Sequence, residues 1–159
     1  MKSPVGVLTL VATDLGLTEL LFDKPEASAV RRDIGNSFAK HPVLDLSVRQ
    51  LREYFAGNRM KFDIPLDFVG TEFQRKAWRG LLTIPFGETR TYAEHANRIG
   101  HPRAVRAVGA ANGRNPIAII IPCHRLVGSD GSLTGFGGGL PAKAWLLALE
   151  RDGRRRSTR

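Results

Sequence analysis

Apolar and polar positions alternate with two different periods along this chain. Residues 5–12 (Val-Gly-Val-Leu-Thr-Leu-Val-Ala) and 17–22 (Leu-Thr-Glu-Leu-Leu-Phe) are short, branched and apolar. Both read as strands, with Thr13-Asp14-Leu15-Gly16 as the hairpin turn between them. Residues 26–39 are charged and carry no clear period. From Leu44 to Phe55 the apolar positions 44, 48, 51 and 55 recur at helical spacing, and Gly57 suits the stop. Residues 62–66 (Phe-Asp-Ile-Pro-Leu) alternate like a third strand, placed at an edge by Pro65.

The second half switches to helical spacing. Thr71-Glu72-Phe73-Gln74 has the form of a capping box, in which the threonine hydroxyl and the glutamine amide satisfy each other's backbone N–H groups. The pattern predicts a helix to about Leu82, with Phe73, Ala77 and Leu81 inward and Trp78 in the core. Thr91-Tyr92-Ala93-Glu94 repeats the device and opens a short helix to Arg98, with Gly100 at its end. Pro102 is expected at the first position of a further helix, which runs to Asn112 and stops at Gly113. Pro141 to Arg151 reads as the last helix, with Trp145 and Leu149 inward and Gly153 as its end. The expected fold class is α+β. Residues 1–68 form a small N-terminal α/β lobe with a short antiparallel sheet, a scaffold without a chemical task of its own. Residues 69–153 form a mainly helical lobe, and 154–159 are a basic tail.

Two helices joined by a tight glycine-containing turn make a helix-turn-helix, a DNA-reading motif. Helix pairs are common, so charge has to sharpen the reading. From His95 through Ser129 there are five arginines and no carboxylate. Arg103, Arg106 and Ala110 fall on one face of the second helix, with Ala107 and Gly109 nearby. Small residues let a helix come close to a groove, and few side chains there could make the bidentate contacts that read bases. Such a helix holds DNA without selecting its sequence. The whole chain, 159 residues with 24 Lys plus Arg against 15 Asp plus Glu, carries a net charge of +9. That balance suits a polyanion, or a membrane surface. The arginine-rich end reads as a solubilising tail rather than a dedicated site. No apolar run approaches the length of a membrane span, and the start lacks a secretion signal.

Cys123 is the only cysteine, which excludes an internal disulfide and fits a reducing cytoplasm. It follows the apolar run Ile117–Ile121, read as a buried strand or extended core segment that Pro122 terminates. A lone cysteine is usually a small buried hydrophobe. The flanking His124 and Arg125 argue for a nucleophile, since positive charge favours the thiolate. Neighbours in an extended chain point to opposite sides, so His124 would reach the sulfur through a water, with a carboxylate orienting the imidazole. Spacing does not select that carboxylate. Four scattered histidines (41, 95, 101, 124) and one cysteine make no zinc set, and no metal or cofactor is expected. The glycines at 137–139 lack the Lys-Ser/Thr of a phosphate loop.

Pro122-Cys123-His124-Arg125 after an isoleucine-rich run resembles the acceptor motif of the O6-alkylguanine-DNA alkyltransferases. The resemblance extends over Ile84–Thr89, Thr91-Tyr92, Arg103–Gly109, Asn112–Pro116, Gly138-Gly139-Leu140 and Glu150, and is strong across residues 71–150. It implies direct, stoichiometric and irreversible transfer of an alkyl group from O6-alkylguanine in DNA, with O4-alkylthymine left open, to Cys123. It also implies a Glu150–His124–water–Cys123 relay, Tyr92 as a pocket phenol and proton donor, and Arg106 as the finger that fills the space of a flipped base. Leu126, Phe136, Gly137, Gly138 and Asn112 would border the base, with Asn115 bridging the recognition helix and the active-site turn. A monomer on the minor groove of double-stranded DNA is the implied assembly. His95, Phe136, Gly137 and Asn112 depart from residues frequent in the family, which bears on which bases and alkyl groups fit.

Two other classes compete. A non-enzymatic helix-turn-helix lesion binder would have no use for Cys123. In a Cys-His hydrolase the histidine would arrive from a distant segment rather than adjoin the cysteine.

Overall fold

The computed structural model describes residues 1–23 and 40–157; the charged stretch 26–39 lies outside the described residues. Three strands, β1 (Lys2–Ser3), β2 (Gly6–Thr13) and β3 (Gly16–Phe22), form an antiparallel sheet in the order β1-β2-β3. The hairpin closes at Thr13↔Gly16, and a bulge at Val11/Ala12 tightens its twist. The third strand is therefore Lys2–Ser3, not residues 62–66. Pro65 has no N–H to donate, so that segment makes only two backbone hydrogen bonds with Leu17, through Pro65 O and Asp67 N. Gly16 is required by this approach: a Cβ there would stand 2.7 Å from Pro65 O.

Helix α1 (Pro42–Phe55) begins two residues earlier than its apolar spacing suggested, because Pro42 takes the first helical position after an extended His41. Helices α2 (Glu72–Leu81) and α3 (Tyr92–Arg98) both carry complete capping boxes, from Thr71/Gln74 and Thr91/Glu94. Trp78 lies in the core, its indole N–H donating to Ala111 O at 2.8 Å. Phe73 is only half-buried, while Ala77, Trp78 and Leu81 are buried.

Helix α4 (Val105–Gly113) starts three residues after Pro102, which sits in the preceding turn. Arg103 accordingly precedes the helix instead of sharing a helical face with Arg106. Helix α5 (Leu140–Ser157) does not stop at Gly153. That glycine lies inside it and lets Phe86 pack closely, since a Cβ would stand 3.0 Å from the ring. The arginines at 154–156 are thus helical. Inward positions on α5 are Ala142, Lys143, Leu146 and Glu150, with Trp145 and Leu149 half-buried at the side.

Ile117–Ile121 is not a strand. It is a tight turn with every residue buried, Ile119 at φ 72° and hydrogen bonds from Ile121 N to Ile117 O and Ile120 N to Ala118 O. A β-branched residue in the left-handed region costs about 1–3 kcal/mol, a strain that surrounding packing has to hold. The holding element is the free edge of β3. Leu20 N donates to Pro116 O and Ala118 N donates to Leu20 O, so the N-terminal sheet clamps the turn that leads into the cysteine. Buried residues from both halves of the chain form one cluster around this clamp.

Candidate active site and nucleic-acid face

Cys123, His124 and Arg125 form a single turn of 3-10 helix directly after the clamped segment. The chain then enters β5 (Leu126–Val127), which pairs in parallel with β4 (Arg90–Thr91). That two-residue ladder registers the start of α3, and with it Tyr92, beside the cysteine turn. Asn115 ties the turn from the other side: its amide donates to Ile121 O at 2.7 Å and its carbonyl accepts from Ile117 N.

Glu150 is completely buried on α5 and collects the donors of the site. Its Oε1 accepts from His124 Nε2 (2.8 Å), Arg125 Nη2 (2.9 Å) and Tyr54 OH (2.8 Å). Its Oε2 accepts from Arg125 Nε (2.8 Å) and Gly87 N (3.2 Å). Burial pushes the Glu150 carboxyl up, but the hydrogen bonds and charges of His124 and Arg125 outweigh it and hold the group far below the usual carboxylate range. Tyr54 on α1, in the N-terminal half of the chain, reaches into this cluster. A buried tyrosine at a helical core position gives no sign of its hydroxyl's partner, so sequence reasoning passed over it. Gly87, at φ 74°, lies against the Glu150 backbone, where a side chain would collide.

A carboxylate can only accept, so His124 carries its proton on Nε2 and leaves Nδ1 bare. Nδ1 is buried and has no hydrogen-bond partner among the described residues. Burial holds the imidazole below its ordinary pKa against the pull of Glu150, which keeps it neutral and able to accept a proton. Cys123 is 4 % exposed. Burial pushes its thiol up, while Asn115 and the charge of Lys143 pull the other way. Burial therefore favours the thiol at rest, and the flanking residues do not supply the positive charge read as favouring the thiolate. The reason is geometric: His124 and Arg125 both turn to Glu150, and the positive charge felt by the sulfur comes from Lys143. Lys143 was missed because its position on α5 reads as an ordinary solvated lysine.

The segment from Leu133 to Gly139 crosses the site as a strap. Thr134 O accepts from Lys143 Nζ (2.7 Å) and from Tyr92 OH (3.3 Å). The ring of Phe136 lies edge-on to Phe22 (centroids 5.2 Å apart) and to His124 (6.2 Å). Gly137 is exposed, whereas Gly138 packs on Phe22, whose ring a Cβ would meet at 2.6 Å. Leu126 is fully buried. Asn112 is buried beside the cysteine, its amide 3.5 Å from Cys123 O and its Oδ1 without a hydrogen-bond partner among the described residues. A cavity of about 440 Å³ opens behind Pro122, between Met60, Phe62, Leu82 and Phe86, and does not reach the sulfur. Among the described residues no cluster of His, Cys, Asp and Glu could hold a metal.

On the outer face of α4, Arg106, Ala107 and Ala110 are exposed and Gly109 half-buried, with Arg103 exposed just before the helix. Helix α3 packs against α4. At the α2–α3 contact the buried His95 fits between them: its Nε2 donates to Ala77 O at 3.0 Å and its Nδ1 accepts from Arg90 Nη1 at 3.3 Å.

A helix pair whose second helix exposes Arg106 and small residues and leads into a turn bearing the single cysteine beside a buried Glu150–His124 pair defines the class: a DNA-handling protein built around a cysteine turn. Residues 1–68 match the family described as 6-O-methylguanine DNA methyltransferase, ribonuclease-like domain, and residues 72–152 match its DNA binding domain. The chain belongs to the O6-methylguanine-DNA methyltransferase family, the methylated-DNA–protein-cysteine methyltransferases. It is 52 % identical over 152 residues to the methylated-DNA–protein-cysteine methyltransferase of Mycolicibacterium paratuberculosis, covering 95 % of this chain and 90 % of that one. To the protein of the same name from Methanosarcina barkeri it is 48 % identical, over 96 % and 95 % of the two chains. The fold is similar to that of Mycobacterium tuberculosis OGT in complex with DNA, with a TM-score of 0.82 and 46 % identity over 96 % and 91 % of the chains. No helix among the described residues is long and apolar enough to cross a membrane.

Proposed function

We infer that this protein repairs DNA by moving the alkyl group of O6-alkylguanine onto its own Cys123, once per molecule. The observation that carries the reading is the buried Glu150–His124 pair beside the single cysteine, with the imidazole nitrogen nearer the sulfur's turn left free. His124 Nδ1 takes the thiol proton through a water, and Glu150 steadies the resulting imidazolium. The sulfur then attacks the alkyl carbon and its bond to guanine O6 breaks. Tyr92 gives a proton to the departing base and recovers one from the imidazolium side, so the thiol proton ends on guanine. The product is a thioether. Unlike a thioester it offers no activated carbonyl to water, and the transfer is irreversible.

A duplex hides O6, so the nucleotide has to leave the stack. The small exposed residues of α4 suit close approach to the minor groove, with Arg103 on phosphate and Arg106 in the vacated space. The strap at Phe136–Gly138 and the backbone at Leu126 border the flipped base, and the strap shifts to admit it, since the resting sulfur is covered. Residues 1–68 brace the acceptor turn, and residues 69–153 grip DNA and react. The protein works as a monomer, in a reducing cytoplasm that keeps Cys123 a thiol.

Intact mass tests this directly. Incubation with duplex DNA containing O6-methylguanine adds one methyl group per chain, and Cys123→Ala abolishes the gain while still binding DNA. An unchanged wild-type mass rejects the reading. Arg106→Ala should slow reaction with duplex more than reaction with the free base; equal losses count against a flipping role.

A further inference from the structure

Tyr54 is 0 % exposed in the last turn of α1, and its hydroxyl donates to Glu150 Oε1 at 2.8 Å. Three rings fix the direction of that hydroxyl. Phe55 and Phe86 meet the tyrosine edge-on, with centroids 5.5 and 6.2 Å away, and Phe62 lies tilted at 5.2 Å. Burial first, and then the Glu150 charge, push the phenol well above its ordinary pKa, so it stays protonated and serves the carboxylate as a donor. The oxygen it binds is the one that accepts from His124 Nε2. Oε1 thus takes three donors, the third being Arg125 Nη2, while Oε2 takes Arg125 Nε and Gly87 N. A carboxylate divides its charge among its donors, and what one draws off is withheld from the others.

The titratable groups about the imidazole are Glu150 and Lys143 on α5 and Cys123 and Arg125 on its own turn. Tyr92 on α3 turns to Thr134 O, and the strap presents the Phe136 ring. Helix α2, which also packs on the cysteine turn, keeps Glu72, Lys76 and Arg79 exposed and Arg75 on Gly70 O. We propose that Tyr54 is a positioning residue for the transfer: its hydroxyl pins Glu150 Oε1 against His124 and draws off enough of the carboxylate's charge to keep the imidazole neutral until the thiol gives up its proton. With one donor fewer, Glu150 would hold an imidazolium more strongly, and a base already protonated cannot take the thiol proton. Because Tyr54 belongs to the N-terminal half, the readiness of the base depends on how that half packs beside α5.

This rests on His124 acting as the base toward Cys123. The test compares wild type, Tyr54→Phe and Gly16→Ala by NMR titration of the His124 ring nitrogens and by single-turnover methyl uptake from duplex O6-methylguanine DNA across pH. Tyr54→Phe should raise the His124 midpoint, and the acid limb of the rate, by at least about half a pH unit, so the rate on that limb falls about threefold or more. Gly16→Ala loses stability through the Pro65 backbone, away from Glu150, and should leave the midpoint in place. A merely structural tyrosine would make the two variants behave alike. An unchanged or lowered His124 midpoint in folded Tyr54→Phe overturns the proposal. Should that variant not fold, 3-fluorotyrosine in place of Tyr54 decides: its more acidic hydroxyl donates more strongly and should move the midpoint down, and no movement overturns the proposal. A wild type that takes up methyl without an acid limb would instead remove His124 as the base, and one that takes up none would remove the acceptor assignment; the His124 titration still judges Tyr54 in both cases.

Discussion

Glu150→Gln is a severe single change in this site, and its cost can be worked from the geometry. The substitution is nearly isosteric, so packing is kept while the charge and one accepting oxygen are lost. Arg125, 7 % exposed, would keep its hydrogen bond to Ile84 O but lose the only carboxylate that neutralises it among the described residues. Breaking a buried ion pair by removing one partner costs about 3–5 kcal/mol, because the remaining charge stays in a dry environment. Against the usual total of about 5–15 kcal/mol that is a large fraction. For a chain of this size each kcal/mol shifts Tm by roughly 2–4 °C, so the loss should be about 6–20 °C. The amide also presents donors as well as an acceptor. It can donate to His124 Nε2, which would place the imidazole proton on Nδ1 and remove the base from the sulfur side. Transfer should therefore slow by a factor on the order of a hundred or more, as wrong-tautomer variants of histidine-based nucleophiles do. The assays are urea unfolding followed by Trp78 and Trp145 fluorescence, and single-turnover methyl uptake by intact mass. The double variant Glu150→Gln/Arg125→Met, which removes the orphaned charge, should recover a substantial part of the stability but not the rate. A loss below about 1 kcal/mol for Glu150→Gln, or a double variant less stable than the single, would refute the reasoning.

Three further outcomes are expected. Tyr54→Phe removes a hydrogen bond to an ionised carboxylate that keeps its other donors and should cost about 1.5–3 kcal/mol in urea unfolding, with Tm lowered by several degrees. Burial first, then the nearby Arg90 charge, lower the pKa of His95 against the pull of Ala77 O, so its neutral form belongs to the folded state. The unfolded chain then binds the extra proton. Stability from His95 is full above about pH 6.5 and is lost as pH falls from there toward the lower folded value. His95→Leu should flatten that acid limb when urea midpoints at about pH 7.5 and about pH 5.5 are compared, leaving the parallel share of His124; an unchanged slope would count against it. Gly16→Ala should cost about 1–3 kcal/mol, because its Cβ meets the Pro65 backbone, whereas Gly113→Ala, with nothing within 4 Å, should gain up to about 1 kcal/mol. Urea midpoints of the two variants should move in opposite directions.

The order of chemistry along the chain was already written in its residues. Capping boxes at Thr71 and Thr91, the β2–β3 hairpin and the Pro-Cys-His-Arg turn are local devices, set by side chains within a few positions of one another, and local pattern suffices to read them. What lay beyond that pattern was everything decided by distant neighbours. The apolar run at 117–121 has the composition of a strand, but the edge of β3 bends it into a turn with Ile119 at φ 72°. Gly153 has the look of a stop, yet Phe86 packs where its side chain would be and the helix runs on. His124 and Arg125 flank the cysteine in sequence and leave it in space, since a carboxylate 25 or 26 positions away attracts both. Tyr54 reaches the site because α1 packs on the sheet and beside α5, and Lys143 because α5 packs on the cysteine turn. Charge acts through space with a strength set by burial, and burial belongs to the assembled core rather than to any stretch of chain.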